Sequence, residues 1–389
     1  MNQNEPESHI IGISENLSMT TSELRSLIEL GICGRLDSVE SKIDGQNFTV
    51  TYDGKNLRLL GKGVSAKRLT EGGFLLQDAV LKFPEHLRDD IQCAMQDTEA
   101  WISTLDPALA SRAFAGGKIA IECSLVSRDN PITIRYGVNQ VRTLRFCSPL
   151  GHTVDQDAAA EILGSSYAGE RFEILPCEKP RIKTSSMLFD FESGAITLGE
   201  IARQECERVA LEQGIRKDFA KIISERIVLD AHDHTAIKRA DRSGRLWDVV
   251  KALESDGNLR LSSLIPVEKT VQSLTNLVIS CYEFDLVAQK EMHEKLMEEM
   301  RDIVDAFKSG DIAMMKDGRK MKMNDFWRER MRISIDRLGG SFDLLPVEGI
   351  VFRYGDKRMK MTGMYTSCHK LMAPFKFETK GEKLVLLKS

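Results

Sequence analysis

Lys42 is flanked by carboxylates in the order Glu40-x-Lys42-x-Asp44-Gly45-x-Asn47. A lysine so placed is either a solvated cation beside a turn or a nucleophile with a site built around it. Lys-x-Asp-Gly alone decides nothing, since chance supplies it in roughly one chain in ten of this length. An amine at its usual pKa of about 10.4 is protonated at neutral pH, so a nucleophilic lysine needs partial burial and nearby cations. Such cations occur in "RMKMTG", where strand alternation puts Arg358 and Lys360 on one face and turns Lys357 outward. Carboxylates occur within apolar strand-like runs, Glu122 in "IAIECSL" and Glu348 in "VEGIVFRY". Burying them is costly unless a cation or a metal ion partners each one. A lysine, two such glutamates and a basic strand face could together support a nucleophilic amine, with the cations stabilising negative charge on whatever it attacks.

The elements that must position these residues can be read from periodicity. "TTSELRSLIELGICG" predicts a short helix closed by Gly31 and Gly34. "DSVESKI", "NFTVTYD" and "NLRLLG" predict strands, with "YDGK" as a hairpin turn, so Lys42 is expected at a strand end heading a meander. Residues 86 to 113 have helical spacing, "KIAIECSLV" reads as a strand, and "ITIRYG" and "VRTLRFCSPLG" predict further strands. From about residue 194 to 340 helical patterning dominates, including one long run from Val267 to about Lys308 and "MNDFWRERMRISIDRLGG". Strand pattern returns at Phe342, with Gly355-Asp356 as a second hairpin turn.

In this order the motif segments resemble those of the covalent nucleotidyltransferases, the superfamily of ATP-dependent DNA ligases, RNA ligases and mRNA capping enzymes. "KIDGQNF" is most similar to the first motif of phage-type RNA ligases, which tend to carry asparagine where the others carry arginine. "IAIECSL" resembles the third motif, "VEGIVFRY" the fourth and "RMKMTG" the fifth. The similarity spans residues 36 to 126 and 342 to 365. It implies Lys42 as the nucleophile, with Arg358 and Lys360 assisting, and ATP and Mg²⁺ as cofactors. It also implies Glu122 and Glu348 as metal-holding and ribose-contacting residues, Glu40 as a reader of the adenine amino group, and Asn47 near the phosphates, within a motif that includes Asp44 and Gly45. A basic residue soon after the first motif is expected from the family, with Arg58, Lys62 and Arg68 competing and Arg58 favoured. Phe146 is a candidate to stack on the base.

The implied fold is α+β: a discontinuous nucleotidyltransferase domain of antiparallel sheets with flanking helices (residues 1–193 and 341–389), interrupted by a largely helical insertion (194–340). No C-terminal OB domain is expected, which favours an RNA-ligase-like enzyme sealing 5′-phosphate to 3′-hydroxyl ends. The expected partners are nucleic acid ends, RNA over DNA, with the insertion as the part that reads the acceptor. Alternatives are a nucleotidyltransferase acting on a protein or small molecule, a guanylyltransferase, and a nucleotide-binding protein of the same fold without activity.

Composition narrows the classes. The chain has 389 residues, 42% hydrophobic and 29% charged, enough for a sizeable core and more than one domain. It has no apolar run long enough for a bilayer and no signal-like start, so a cytoplasmic protein without a membrane partner is expected. Its eight cysteines lack a CxxC pair, which argues against zinc ribbons and redox dithiols. A net charge of −4 means that any nucleic acid must be held by a local basic patch. "DAHDH" (230–234) reads as a solvated connection rather than a metal cluster, and "AMMKDGRKMKMND" as core filler and a basic loop. Its Lys316, Arg319, Lys320 and Lys322 are also candidates for contact with a phosphate backbone.

Overall fold

A computed structural model describes residues 10–13, 21–61, 66–183, 268–338, 344–378 and 381–387. The chain begins with β1 (Ile11–Gly12), α1 (Thr21–Ile32), β2 (Asp37–Lys42), β3 (Gln46–Tyr52), β4 (Leu57–Gly61), α2 (Ala66–Thr70), α3 (Leu76–Val80), α4 (Arg88–Thr104) and α5 (Pro107–Phe114). Then follow β5 (Ala120–Val126), β6 (Gln140–Cys147), α6 (Gln156–Leu163), β7 (Tyr167–Ala168), β8 (Glu173–Pro176) and β9 (Arg181–Ile182). From residue 268 the order is α7 (Glu268–Ser280), β10 (Tyr282–Glu283), α8 (Lys290–Ser309), β11 (Ile312–Lys316), β12 (Arg319–Lys322), α9 (Asp325–Leu338), β13 (Gly349–Tyr354), β14 (Lys357–Met361), α10 (Tyr365–Lys376) and β15 (Glu382–Leu386). The class is mixed α+β, as expected. The chain divides into two compact units, and the division passes between Lys42 and Ile43.

The first unit holds described residues 10, 43–61, 66–178 and 286–293. Its sheet runs β4-β3-β5-β6-β8-β7, antiparallel except for the parallel β6–β8 pair. Alternation along the central strands sends Phe48, Val50, Ile121, Cys123 and Leu125 into a core completed by Ile91, Met95 and Trp101 of α4 and Phe114 of α5. The opposite positions, Asn47, Thr49, Glu122 and Ser124, form a polar face. α5 starts where the sequence says it should: the Asp106 carboxylate accepts from the N–H groups of Ala108 and Leu109 at 2.7 and 3.0 Å, with Pro107 in the first turn. The β3–β4 hairpin closes through Asp53, whose Oδ1 accepts from the backbone of Lys55 and Asn56.

The second unit holds described residues 11–13, 21–42, 179–183, 268–285, 294–338, 344–378 and 381–387. A four-stranded sheet, β1-β14-β13-β2, packs its apolar face (Ile350, Phe352, Met359, Met361) against Leu27, Ile28 and Ile32 of α1 and Val278 and Ile279 of α7. Gly31 lies in the last turn of α1, as expected, and Gly34 follows two residues past its end. A Cβ on Gly31 would come within 2.5 Å of Val278, so the bare backbone lets α1 and α7 approach closely. A separate sheet runs β12-β11-β15, and Trp327 of α9 donates its indole N–H to Glu382 Oε2 at 2.8 Å.

Several expectations change. β2 does not head a meander with β3; it pairs with β13, whereas β3 pairs with β4 and β5. "ITIRYG" is irregular, because the N–H groups of Thr133 and Ile134, which a strand would use in a ladder, go to the Asp44 carboxylate. The long helical run from Val267 breaks at Tyr282–Glu283, which pairs with Arg181–Ile182. The methionine-rich basic loop is the β11–β12 hairpin. Of the expected insertion, residues 194–267 lie outside the described residues, as do "DAHDH" and Lys62. Its remainder includes α7, which is part of the core shared with β13 and β14.

Candidate active site

Lys42 is the last residue of β2, and in the antiparallel ladder it faces Gly349, the first residue of β13. Glu348 immediately precedes that position, and Lys42 Nζ donates to Glu348 Oε2 at 2.9 Å. The lysine side chain is 22% exposed and the glutamate 9%, so the amine is accessible while its acceptor is nearly buried. Gly349 permits this arrangement: a Cβ there would run into the carbonyl oxygen of Met361 on β14, which makes the Glu-Gly pair a packing requirement of the strand.

Glu40, Lys42, Arg358 and Lys360 share one face of this sheet, opposite the Met359 and Met361 core face. Glu40 pairs in register with Val351, and Val351 with Lys360. Arg358 reaches diagonally to donate to Glu40 Oε2 at 2.5 Å. Lys357 is exposed at the strand start. The electrostatic pattern differs from a lysine surrounded by cations. Lys42 is matched by a carboxylate, and the guanidinium of Arg358 is matched by Glu40.

The remaining sequence-derived residues belong to the first unit. Asp44 is 4% exposed, and its Oδ2 accepts from Thr133 N at 2.7 Å and Ile134 N at 2.5 Å. Its own N–H donates to the Tyr136 hydroxyl at 3.3 Å. The Asp44 carboxylate therefore acts as an anchor that pins the 132–136 loop. Gly45 is required by close approach, since a Cβ would collide with Ser124 Oγ and lie 2.7 Å from the Leu125 carbonyl oxygen. Asn47 is exposed at the start of β3, in register with Ser124.

Glu122 lies opposite Arg145 of β6, and the guanidinium grips it in a fork, Nε to Oε2 at 2.7 Å and Nη2 to Oε1 at 3.4 Å. Sequence reasoning missed Arg145, one of two arginines in the strand that pairs with β5. Phe146 is on the other face. It is in register with Ile121 and packs edge-on against Phe114 with centroids 5.2 Å apart, so its ring belongs to the core side, away from Glu122. Arg58 shares the polar face and donates to Asp53 Oδ2 at 2.7 Å. Partial burial raises the Asp53 pKa, but hydrogen bonds from Asn56, Arg58 and Lys55 outweigh it and lower the value to about 2. Arg68, the other described competitor, is exposed; it pairs with Glu71 and lies 4.5 Å over the Phe74 ring.

No protein-family model matches the chain, and no curated protein matches it. Among the described residues there is no group of three or more His, Cys, Asp or Glu side chains placed to hold a metal ion, and no helix long and apolar enough to cross a membrane.

Proposed function

We propose that the chain is an ATP-dependent polynucleotide ligase of the RNA-ligase-like type, working through a lysyl-AMP intermediate on Lys42. The observation that carries this reading is the hydrogen bond between Lys42 and Glu348, a part-exposed amine held by a nearly buried carboxylate. Paired as an ammonium, Lys42 cannot attack; once its proton passes to Glu348, the lone pair on Nζ is available. Nζ then bonds to the α-phosphorus of ATP while the bond to the bridging oxygen breaks and pyrophosphate leaves. A 5′-phosphate oxygen of a nucleic acid end, RNA in preference to DNA, next displaces the lysine and takes the AMP. Attack by a 3′-hydroxyl on that activated end releases AMP and leaves a phosphodiester.

Arg358 and Lys360 share the face that carries Lys42 and supply positive charge for the triphosphate and the departing pyrophosphate. Glu40 would read the adenine amino group while shared with Arg358. Mg²⁺ fits the donor set in one way. Glu348 is already matched by Lys42 and Glu122 by Arg145, so at either carboxylate the ion would be held largely through nucleotide phosphates, a habit of this metal. It would supply neutralisation of the phosphate charge.

The test is an intact-mass measurement after incubation with Mg²⁺ and either ATP or GTP, on wild type and Lys42→Ala, with prior removal of any bound AMP. An AMP-sized increment with ATP alone, absent in the variant, is expected. No increment with either nucleotide would overturn the reading. An increment that no RNA or DNA end discharges would transfer it to a nucleotidyltransferase with another acceptor.

A further inference from the structure

The helix-covered side of the six-stranded sheet, opposite the face that carries Arg58 and Glu122, holds a cavity of about 290 Å³. Its walls come from three places: Asn56 and Leu57 where β4 begins, Leu76 and Gln77 where α3 begins, and Met95 and Glu99 on α4. Residues four apart lie on one face of a helix, which brings the last pair to the same wall. Met95 is buried, and Glu99, one turn on, is half-buried. β4 is an edge strand, so the N–H groups on its outer side have no ladder partner. Leu59 donates its N–H to the Phe74 carbonyl at 2.8 Å and Phe74 returns the bond, which fixes the entry to α3 beside β4. Leu57, two residues earlier and so pointing the same way, donates to Glu99 Oε1 at 3.3 Å.

That long bond engages one of two carboxylate oxygens. Among the described residues no cation pairs with Glu99, and the side-chain amides of Asn56 and Gln77 make no hydrogen bond. Other part-buried acids of this unit are matched, Asp53 by Arg58 and Glu122 by Arg145. Holding the Leu57 N–H needs only a neutral acceptor, so that role does not call for a charge, nor for open space beside it. The lining selects among ligands. An anion would meet the Glu99 carboxylate. A metal ion would find a single carboxylate, and no group of three or more potential ligands is placed for one among the described residues. A primary ammonium carries three N–H donors, matching the three oxygen acceptors offered by Glu99, Asn56 and Gln77. An alkyl stem behind it would cover Leu57, Leu76 and Met95.

We propose that this cavity is a binding site for a small primary alkylamine, held as its ammonium by Glu99 with the Asn56 and Gln77 side chains, its stem against Leu57, Leu76 and Met95. Burial of the stem supplies the driving force, and the charge-assisted bonds to Glu99 fix the head. The volume is close to the lower end of the range for small-molecule sites, roughly 300–1,000 Å³, which suits a free amine. The site involves neither Lys42 nor a nucleotide, so it stands apart from the ligase reading.

The test is isothermal titration calorimetry of the full chain with hexylammonium chloride as the probe, run in parallel with hexanol and hexanoate. Saturable binding of the ammonium at one site, without binding of the other two, is expected. Glu99→Gln keeps an oxygen for the Leu57 N–H but removes the charge, and should weaken binding about tenfold or more. Gln77→Lys, at an exposed position, supplies an amine from within the chain and should abolish binding of the probe. Circular dichroism confirms that each variant is folded. Absence of saturable binding, equal binding of hexanol, or unchanged affinity in Glu99→Gln would overturn the proposal. So would a lysine peptide with an acetylated α-amine that binds more tightly than hexylammonium, since the site would then be reading a partner's side chain.

Discussion

Glu348 accepts a 2.9 Å hydrogen bond from Lys42 across 306 residues of sequence, because the neighbouring Gly349 is the register partner of Lys42 between β2 and β13. The side chains meet at the mouth of a two-strand ladder, so backbone pairing sets their distance. A rigid ladder suits proton transfer, which needs a heavy-atom separation of about 2.6–3.2 Å.

Glu348→Gln keeps a carbonyl oxygen that can accept from Lys42 but removes the ability to take its proton. AMP transfer to Lys42 is expected to slow by about 10²-fold or more, measured in a single turnover with labelled ATP. A rate near wild type would remove Glu348 as the proton acceptor.

Asp44→Ala leaves the buried N–H groups of Thr133 and Ile134 without their shared acceptor. Each such loss costs about 1–3 kcal/mol. Amide hydrogen exchange at Thr133 and Ile134 should quicken markedly in the variant, with smaller changes in β5 and β6. Equal exchange in both proteins would show that the loop is held by other means.

Gly45→Ala drives a methyl group into Ser124 Oγ and the Leu125 carbonyl oxygen. Overpacking of this kind costs about 1–3 kcal/mol, read as a lowered denaturant midpoint at unchanged m value. Ser124→Gly should not restore the double variant fully, since the backbone carbonyl remains.

How far the sequence foretold this depended on range. Turn chemistry is local, so the hairpins at Gly54 and Gly355 were readable, as was the alternation that separates Arg358 and Lys360 from Met359. The Lys42–Glu348 and Glu122–Arg145 pairs depend on strand register between distant segments, which no local pattern encodes. "ITIRYG" misled for a related reason: its composition suits a strand, but the Asp44 carboxylate takes the N–H groups that a ladder would use. Phe146 had no reason in sequence to face the core rather than the polar side until its register with Ile121 was known.

The pKa of the half-buried Cys147 thiol is pushed up to about 12, first by burial and then by the Glu122 charge, and that of the buried Cys368 to about 12 by burial. At pH 8 the thiolate fraction is then ~10⁻⁴, so both should resist iodoacetamide in the native protein and react after denaturation. Mass mapping of alkylated peptides checks this. Fast native labelling of Cys147 would contradict it.

Asp53 ionises at about 2 in the folded protein against an ordinary 3.8. A depressed carboxyl pKa adds stability that is complete above about 4 and is lost as pH falls through about 2. With a quarter of the side chain exposed, that contribution is on the order of 1 kcal/mol. Asp53→Asn should lower stability at neutral pH and flatten its decline between pH 4 and 2, followed by urea unfolding.

The strands β13 and β14, which contribute Glu348's neighbour, Arg358 and Lys360, fall in sequence between β11 and β15, two adjoining strands of another sheet. During synthesis on the ribosome, β15 emerges after the whole β13–β14 hairpin, so the sheet containing β11 acquires its last strand only once those residues have been made. A nascent chain stopped short of β15 would therefore already carry Lys42, Glu348, Arg358 and Lys360 but leave one edge of β11 open.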